Sequence, residues 1–309
     1  LTAPLSISVD DTFNGSGVVV LVASLNVQTT GVLTLQPGVA LKFDGVHALN
    51  VYGTLICNGT SGSPATLTSI HDDTVGGDTN RNGAATLPAP GHWVQLWFGP
   101  LSDASVVNGL RVRCAGWGGN GAIKMDQSNA TFDDARTALA GGPCLDLASN
   151  SYPTATNCRF DGGSRAIVNM HIAALPGFSG CTSTGNVVYN APEVSVGSIG
   201  PGVNLSIVPD DALNGDGVVV LQTSVTVDAA ATLNMAAGVR FKFAGVHSFN
   251  VHGGLTTTGS VGNPVVLTSN HDDVYGGDTN LNLGGTAGSP GQWIQAWFGP
   301  PSDASNLAG

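Results

Sequence analysis

Two loops concentrate carboxylates and amides in a chain that otherwise has few charged residues. The first reads HDDTVGGDTNRNG from His71, and the second reads HDDVYGGDTNLNL from His271. In the first loop, oxygen-bearing side chains alternate ahead of Gly83, which is typical of the opening half of a calcium-binding loop. The pattern predicts Ca²⁺ as a cofactor. The candidate ligands are the acidic and amide residues of both loops: Asp72, Asp73, Asp78, Asn80, Asn82, Asp272, Asp273, Asp278, Asn280 and Asn282.

A second interpretation of the same loops needs no metal. Leu283 stands where the first loop has Gly83, and no glutamate follows at the position that closes an EF-hand. Asp and Asn side chains also stabilise turns by accepting hydrogen bonds from nearby backbone amides. Calcium and turn formation therefore both remain open. An acid/base pair between His71 and its aspartate neighbours is the least favoured interpretation.

The elements that must position these loops show a short period. Three consecutive segments of about 22 residues, starting at Gly121, Pro143 and Arg165, contain short stretches in which apolar and polar residues alternate. Alternation places one face of a strand inward and the other outward. The pattern predicts an all-β fold, a right-handed parallel β-helix (solenoid) with about 22-residue coils and long loop insertions. A pair of antiparallel β-sandwiches is the alternative.

A longer repeat contains these coils. NGSGVVVL from Asn14 returns as NGDGVVVL from Asn214, and WVQLWFGP from Trp93 returns as WIQAWFGP from Trp293, both at an offset of 200 residues. This repeat predicts a first β-helix unit over residues 1–200, with a long loop at about 70–92. Residues 201–309 then begin a second, homologous unit that continues the same solenoid, with a long loop at about 270–292.

The stretch PGVALKFDGVHALNVYGTLICNG, its D-D-x-x-G-G-D-T-N loop and the following Gly-x-Trp resemble secreted bacterial right-handed parallel β-helix repeat proteins of pectate-lyase-like architecture. A lyase of this kind implies a calcium-binding Asp cluster with a basic residue nearby. The basic candidates are Lys42, Lys124, Lys242, Arg111, Arg113, Arg136, Arg159, Arg165 and Arg240. A polygalacturonase implies N-T-D, D-D, G-H-G and R-I-K in order, of which only D-D occurs. We therefore expect no catalytic residues and no enzymatic activity.

Aromatic and cysteine residues offer two further candidate features. Alternation predicts Trp93 and Trp97 on one face, where they would either stack on a sugar or pack where the loop rejoins the coil. Cys158 and Cys181 are nearly one coil apart and predict either buried thiols or a bridge. The chain has five cysteines in all, at Cys57, Cys114, Cys144, Cys158 and Cys181.

Charge and hydropathy restrict the possible partners. The net charge of −11 argues against nucleic acid, whose binding needs clustered Lys and Arg, and against docking on anionic membranes. No apolar segment approaches the ~18–20 residues of a membrane span. Four N-x-S/T sequons agree with a secreted, cell-surface location: Asn14, Asn58, Asn129 and Asn204.

These observations predict a non-enzymatic extracellular structural or adhesive protein, such as a β-helical stalk, surface fibre or filament subunit. No capping helix is visible at either end, so we expect end-to-end self-association or a longer tandem array. Surface glycans are a further candidate partner. The alternative is a carbohydrate-active enzyme or a glycan-binding module on the same fold.

Overall fold

The computed structural model describes residues 1–83, 85–148 and 150–308. Ala84, which falls in the first long loop, Ser149 and the final Gly309 lie outside the described residues. The chain forms two compact units. Unit 1 comprises residues 1–166 and 184–187, and unit 2 comprises residues 167–183 and 188–309. These units are a different division of the chain from the 200-residue sequence repeat.

Unit 1 is built from short strands that form three sheets. The strands in its described residues are β1 (Leu5–Ile7), β2 (Val18–Leu21), β3 (Leu25–Val27), β4 (Val32–Leu35), β5 (Ala40–Phe43), β6 (Leu49–Val51), β7 (Thr54–Asn58), β8 (Ala65–Ser69), β9 (Leu96–Phe98), β10 (Val106–Asn108), β11 (Leu110–Arg113), β12 (Ile123–Asp126), β13 (Thr131–Asp133), β14 (Arg136–Ala138), β15 (Leu145–Ala148), β16 (Thr154–Thr156) and β17 (Arg159–Phe160). Sheet A has the order β1-β4-β7-β10-β13-β16, sheet B the order β2-β5-β8-β11-β14-β17 and sheet C the order β3-β6-β9-β12-β15.

Unit 2 repeats this plan. The strands in its described residues are β18 (Ile167–His171), β19 (Phe178–Ser179), β20 (Pro192–Val196), β21 (Ser198–Ile199), β22 (Asn204–Ile207), β23 (Val218–Leu221), β24 (Val225–Val227), β25 (Thr232–Met235), β26 (Arg240–Phe243), β27 (Phe249–Val251), β28 (Gly254–Thr257), β29 (Val266–Ser269) and β30 (Ala296–Phe298). Sheet D has the order β21-β24-β27-β30, sheet E the order β22-β25-β28 and sheet F the order β18-β20-β23-β26-β29.

The pairings between strands are parallel, so neighbours in each sheet come from successive coils of the chain. In sheet A, Leu33 of β4 pairs with Leu55 of β7, and in sheet C Ile123 of β12 pairs with Leu145 of β15. This arrangement confirms the predicted all-β parallel solenoid and excludes antiparallel sandwiches. The helices in the described residues are short 3₁₀ segments: Val9–Asp11, Phe13–Gly15, Trp117–Gly119, Ile172–Gly177, Pro209–Asp211, Leu213–Gly215 and Ser302–Ala304.

The core of each unit is a set of inward ladders. Leu33 and Leu55 are fully buried partners in sheet A, and Leu41 and Leu67 are fully buried partners in sheet B. Full burial of a Leu side chain contributes about 1.5–3 kcal/mol, so repeated ladders supply most of the driving force for folding. The alternation seen in the sequence is the cause, since every second residue of a strand points inward.

The coil length varies around the period of about 22 residues predicted from the sequence. Ile123 pairs with Leu145 across a coil of the predicted length, whereas Leu5 pairs with Leu33 across a coil that is several residues longer. Leu49 pairs with Leu96 across a much longer stretch of chain, because a long loop is inserted between them. Turns between the sheets thus vary in length while the strands keep their inward register.

Candidate functional site

Each Asp-rich loop leaves the solenoid at one sheet and returns at the next. In unit 1 the chain leaves sheet B after Ser69, the last residue of β8, and enters sheet C at Leu96, the first residue of β9. In unit 2 it leaves β29 after Ser269 and returns at Ala296 in β30. The loops are therefore insertions between two neighbouring sheets, and they contact outward residues of β5 and β2 in unit 1 and of β26 and β23 in unit 2.

The first loop folds over a lysine from the neighbouring coil. Lys42 of β5 is fully buried, and its Nζ donates hydrogen bonds to Gly77 O and Thr79 Oγ1, both at 2.8 Å. Burial lowers the pKa of Lys42, while the negative charges of Asp73, Asp72 and, to a smaller extent, Asp78 act in the opposite direction. The loop thus surrounds a positive charge that the protein itself supplies.

The second loop holds a lysine in the same way. Lys242 of β26 is fully buried, and its Nζ donates to Asp272 O at 2.8 Å, Gly277 O at 2.8 Å and Thr279 Oγ1 at 2.7 Å. Burial also lowers the pKa of Lys242, against the charges of Asp272 and nearby aspartates. Since the same contacts form twice, the lysine and the G-G-D-T segment are parts of one repeated device.

The first glycine of the G-G pair is required by close packing. Gly76 has φ +64°, and a Cβ at this position would lie 2.2 Å from Val18 Cγ2. Gly276 has φ +79°, and a Cβ there would lie 2.4 Å from Val218 Cγ2. A side chain would push the loop away from the strand, and the loop carbonyls would then move away from the lysine.

Asp78 and Asp278 cap turns within the loops. Asp78 Oδ1 accepts from Asn82 N at 3.1 Å, and its Oδ2 accepts from Gly83 N at 2.9 Å. Asp278 accepts from the equivalent amides of Asn282, at 3.0 Å, and Leu283, at 2.7 Å. This is the turn chemistry that the sequence allows for Asp and Asn. Both oxygens of each carboxylate are engaged by the backbone.

Asp72 anchors the base of the first loop. It is fully buried, and its Oδ2 accepts from Thr68 Oγ1 at 2.8 Å and from Arg113 Nε at 2.7 Å, while its Oδ1 accepts from Thr74. Burial alone would raise the pKa of Asp72, but the hydrogen bonds from Arg113, Thr74 and Thr68 hold it below its usual value. Asp272 keeps the equivalent bond, from Thr268 Oγ1 at 2.6 Å.

The remaining predicted calcium ligands are only partly engaged. Asn80 and Asn82 each donate through Nδ2 to Thr86 Oγ1, and Asn280 and Asn282 donate to Thr286 Oγ1. Among the described residues of both loops, buried side-chain oxygens without a protein hydrogen-bond partner remain: Asp73 Oδ1, Asn82 Oδ1, Asp273 Oδ1 and Asn280 Oδ1. Within the described residues, no group of three or more His, Cys, Asp or Glu side chains is arranged to hold a metal ion. Calcium binding stays a prediction, with these oxygens as the remaining ligand candidates.

The histidines at the base of the first loop contact each other and not the aspartates. His71 Nδ1 lies 3.1 Å from Thr86 Oγ1, and the rings of His71 and His92 meet edge to face with centroids 5.0 Å apart. Burial lowers the pKa of His92, and the neighbouring His71 lowers it further. The adjacency of His71 and Asp72 in the sequence therefore does not produce a hydrogen-bonded acid/base pair.

The two tryptophans do not share a face, contrary to the prediction. Trp93 lies in the loop before β9, fully buried, with its ring stacked on Phe43 at 4.1 Å and its Nε1 donating to Arg113 O at 2.7 Å. Trp97 points outward from β9 and meets Tyr52 edge to face at 4.9 Å. Strand alternation does not apply at Trp93, because β9 begins only at Leu96. Trp93 thus packs where the loop rejoins the coil.

Lys42 is the residue beneath the first loop whose role the sequence left open. It was one of several basic candidates, and no motif connected it to the aspartates. A signal was present, because Lys42-Phe43 recurs as Lys242-Phe243 and the other residues of β5, the strand of Lys42, are apolar. Arg113 also reaches the first loop, through its bond to Asp72, whereas Lys124 lies elsewhere, 3.9 Å from Asp146.

The cysteines are interior residues. Cys57, Cys114 and Cys144 are buried free thiols, and Cys158 and Cys181 are buried as well. Burial raises the pKa of Cys57 and of Cys144 to about 12. Such thiols stay protonated at neutral pH, which makes them poor nucleophiles and poor metal ligands.

Comparison with known proteins found no matching family model, no matching curated protein and no matching solved structure. Among the described residues, no helix is both long and apolar enough to cross a membrane.

Proposed function

We propose that this chain is a non-enzymatic extracellular structural or adhesive protein: a β-helical stalk, surface fibre or filament subunit built from 200-residue units. The resemblance of its repeat to secreted bacterial β-helix proteins of pectate-lyase-like architecture supports this proposal, as does the sequon content. The observation that carries it is a pair of open strand edges, one in each unit, at which core side chains are exposed.

The open edge of unit 2 is formed by β28, β29 and β30. Phe298 of β30 is 41% exposed, whereas the equivalent Phe98 is fully buried because Met125 of the next coil pairs with it. An apolar groove of about 290 Å³ lies at this edge, lined in part by Met235, Leu255 and Leu267. An unpaired edge with apolar interior residues is a template for another parallel strand, from a second copy or from a further repeat.

The open edge of unit 1 is formed by β1, β2 and β3. Leu5 of β1 is 43% exposed, and the four residues of β2 are only half-buried, whereas the four equivalent residues of β23 are fully buried. The two edges are formed by different residues, so an association between them is heterologous, the type of interface that builds filaments where it does not close into a ring. This geometry supports a filament or stalk.

Sedimentation velocity over a range of concentrations tests the proposal. We expect the wild-type chain to form species larger than a monomer, and electron microscopy to show elongated assemblies. Phe298→Lys places a charge in the edge and should return the protein to monomers. Val246→Lys, at a position 70% exposed outside β28–β30, is the matched control and should assemble normally. Monomers at all concentrations would reject the filament proposal.

Calcium binding by the loops is part of this proposal, since a bound cation would engage the unpartnered oxygens of Asp73 and Asn82. Calorimetric titration with Ca²⁺ and a melting curve in EDTA test it. Binding together with a lower melting temperature in EDTA would support calcium. No heat of binding with Ca²⁺ and an unchanged melting curve in EDTA would reject calcium binding. Lys42 and Lys242 would then be the cations that the loops surround.

The alternative is a carbohydrate-active enzyme of the lyase or hydrolase type. It is favoured by Lys42, whose pKa is lowered beside three aspartates, since a lysine of lowered pKa can act as a general base. Full burial of Lys42 counts against it, because a base must reach its substrate. Assays on a panel of acidic polysaccharides with Ca²⁺ decide between them: new reducing ends or unsaturated products would establish the enzyme.

A further inference from the structure

Arginines form a row across the outer face of sheet B in unit 1. Arg111 of β11 pairs in register with Arg136 of β14, which pairs with Arg159 of β17. Arg113 lies two residues further along β11, on the same outward face. The intervening residues point inward and are buried. These four arginines are a large share of the 10 Lys and Arg residues of a chain whose net charge is −11.

A row of like charges in a parallel sheet is unfavourable without counter-charges. Asp134 supplies one, accepting from Arg111 Nη2 at 2.9 Å and from Arg136 Nε and Nη2 at 3.0 and 2.9 Å. Asp161 supplies another, to Arg159. Asp72 pairs with Arg113, so three carboxylates face the four guanidinium groups and the row keeps a net positive charge.

The row also retains unused donors that face solvent. The side chains of Arg136 and Arg159 are 45% and 47% exposed. Within the described residues, the hydrogen bonds of Arg136 use Nε and Nη2 and that of Arg159 uses Nε, which leaves Arg136 Nη1 and both terminal nitrogens of Arg159 as donors for a ligand. A groove of about 280 Å³ runs between them, lined also by Thr137, Ala138 and Asp161. A guanidinium presents paired donors in one plane, which suits carboxylate and sulfate groups.

We propose that this arginine row binds an acidic polysaccharide, with successive carboxylate or sulfate groups lying against successive guanidinium groups. Neighbouring strands are about 4.8 Å apart, a spacing that suits a linear polymer with one charged group per sugar. Duplex DNA, with one charge per about 1.7 Å, would be repelled more strongly by the acidic protein around the groove. The inference rests on the adhesive part of the proposed function and names its class of partner.

Binding of the full 309-residue chain to three immobilised polymers tests this inference. Dextran sulfate and alginate carry sulfate and carboxylate groups, respectively, and dextran is neutral. We expect dextran sulfate, alginate or both to bind, more weakly as salt increases, and dextran not to bind. Comparing dextran sulfate with alginate shows whether the row prefers sulfate or carboxylate groups. Equal binding to dextran, or no binding to either charged polymer at low salt, would overturn the proposal.

Substitutions locate the binding to the row. Arg136→Gln with Arg159→Gln should weaken binding at least about tenfold, since each lost charged hydrogen bond matters strongly where donors converge. Arg159→Lys keeps the charge and loses the paired donors, so an intermediate loss is expected. Lys124→Gln removes a cation paired with Asp146 on sheet C and is the control. Unchanged binding in the double variant would refute the site.

Circular dichroism melting shows whether each variant is folded. If the double variant fails to fold, the Arg159→Lys comparison still tests the proposal, because unchanged binding there and unchanged salt dependence would contradict it. Sedimentation is measured separately. Polysaccharide binding by a monomeric chain would reject the filament proposal and support the arginine site. Assembly without polysaccharide binding would support the filament proposal and reject the arginine site.

Discussion

Replacing Lys42 by methionine removes the positive charge beneath the first loop and preserves much of the side-chain volume. Gly77 O and Thr79 Oγ1 then lose the hydrogen bonds from the ammonium group, although Thr79 Oγ1 still donates to Gly77 O, and the carboxylates of Asp73 and Asp72 lose a nearby counter-charge. Removing one partner from a buried charged group costs about 3–5 kcal/mol. Asp72 keeps its bond to Arg113, so we expect the lower end, about 3 kcal/mol of lost unfolding free energy.

Two measurements check this prediction. Denaturant unfolding gives the change in free energy, and limited proteolysis reports whether the loop at residues 70–92 opens. Lys242→Met is an internal replicate and should cost at least as much, because Lys242 Nζ donates three hydrogen bonds. Lys124→Met is the control: its pair with Asp146 is partly exposed, so a change of at most about 1 kcal/mol is expected.

The reasoning fails if Lys42→Met changes the unfolding free energy by less than about 0.5 kcal/mol and the loop resists protease as before. Calcium provides a second check. If Ca²⁺ restores the stability of the variant but does not stabilise the wild type, a metal can replace the ammonium in the same place. If Ca²⁺ stabilises the wild type to the same extent, the loop binds the ion at other oxygens.

Three further predictions follow from the loop geometry, a buried carboxyl group and a buried thiol. Leu283 is 97% exposed and has φ +59°, the left-handed conformation that Gly83 adopts at φ +64°. Leu283→Gly should therefore raise the unfolding free energy by about 0.5–1 kcal/mol in denaturant titrations, because glycine adopts this conformation without strain. A loss of stability would contradict the strain. Burial raises the pKa of Asp211 to about 6 from its ordinary 3.8, so the folded protein binds this proton more tightly than the unfolded chain. The stability that the proton contributes is complete below about pH 4 and is lost as the pH rises through 6. The melting temperature of the wild type relative to Asp211→Asn should therefore fall between pH 4 and 7, and a difference in melting temperature that does not change with pH would contradict this. Val208→Ser adds a hydroxyl donor and should lower the pKa of Asp211 in an NMR titration. The pKa of about 12 for Cys57 predicts that a thiol reagent at pH 8 modifies it only after denaturation, and fast labelling of the native protein at Cys57 would disagree.

The fold class followed from local patterns. Alternation at Ile123 and Leu145 predicted inward ladders, and the structure pairs these residues in register. Not every coil has the predicted length of about 22 residues, because turn lengths between sheets are set by local backbone geometry and by insertions. An inward ladder requires only that the strands restart in register, so it tolerates both the shorter coil that ends at Leu145 and the longer coil that ends at Leu33.

The candidate site was only partly predictable. The loops were recognised from their composition and their return at an offset of 200 residues, and the turn-capping role of Asp78 was one of the two interpretations that the sequence allowed. The burial of Trp93 against Phe43 was not visible, since these residues are far apart in the chain and meet only because one coil lies on another.

The sequence by itself determined that the chain forms parallel coils, since alternation and repetition are local properties. It also determined that the Asp-rich loop is a repeated part, because the same residue types recur in the same order. Only the tertiary structure decided what the loop surrounds. Lys42 and Gly77 are 35 residues apart, and a 2.8 Å hydrogen bond joins them because the loop folds back over the neighbouring strand. Contacts between coils depend on register and on the path of the loop, which no short segment of sequence specifies.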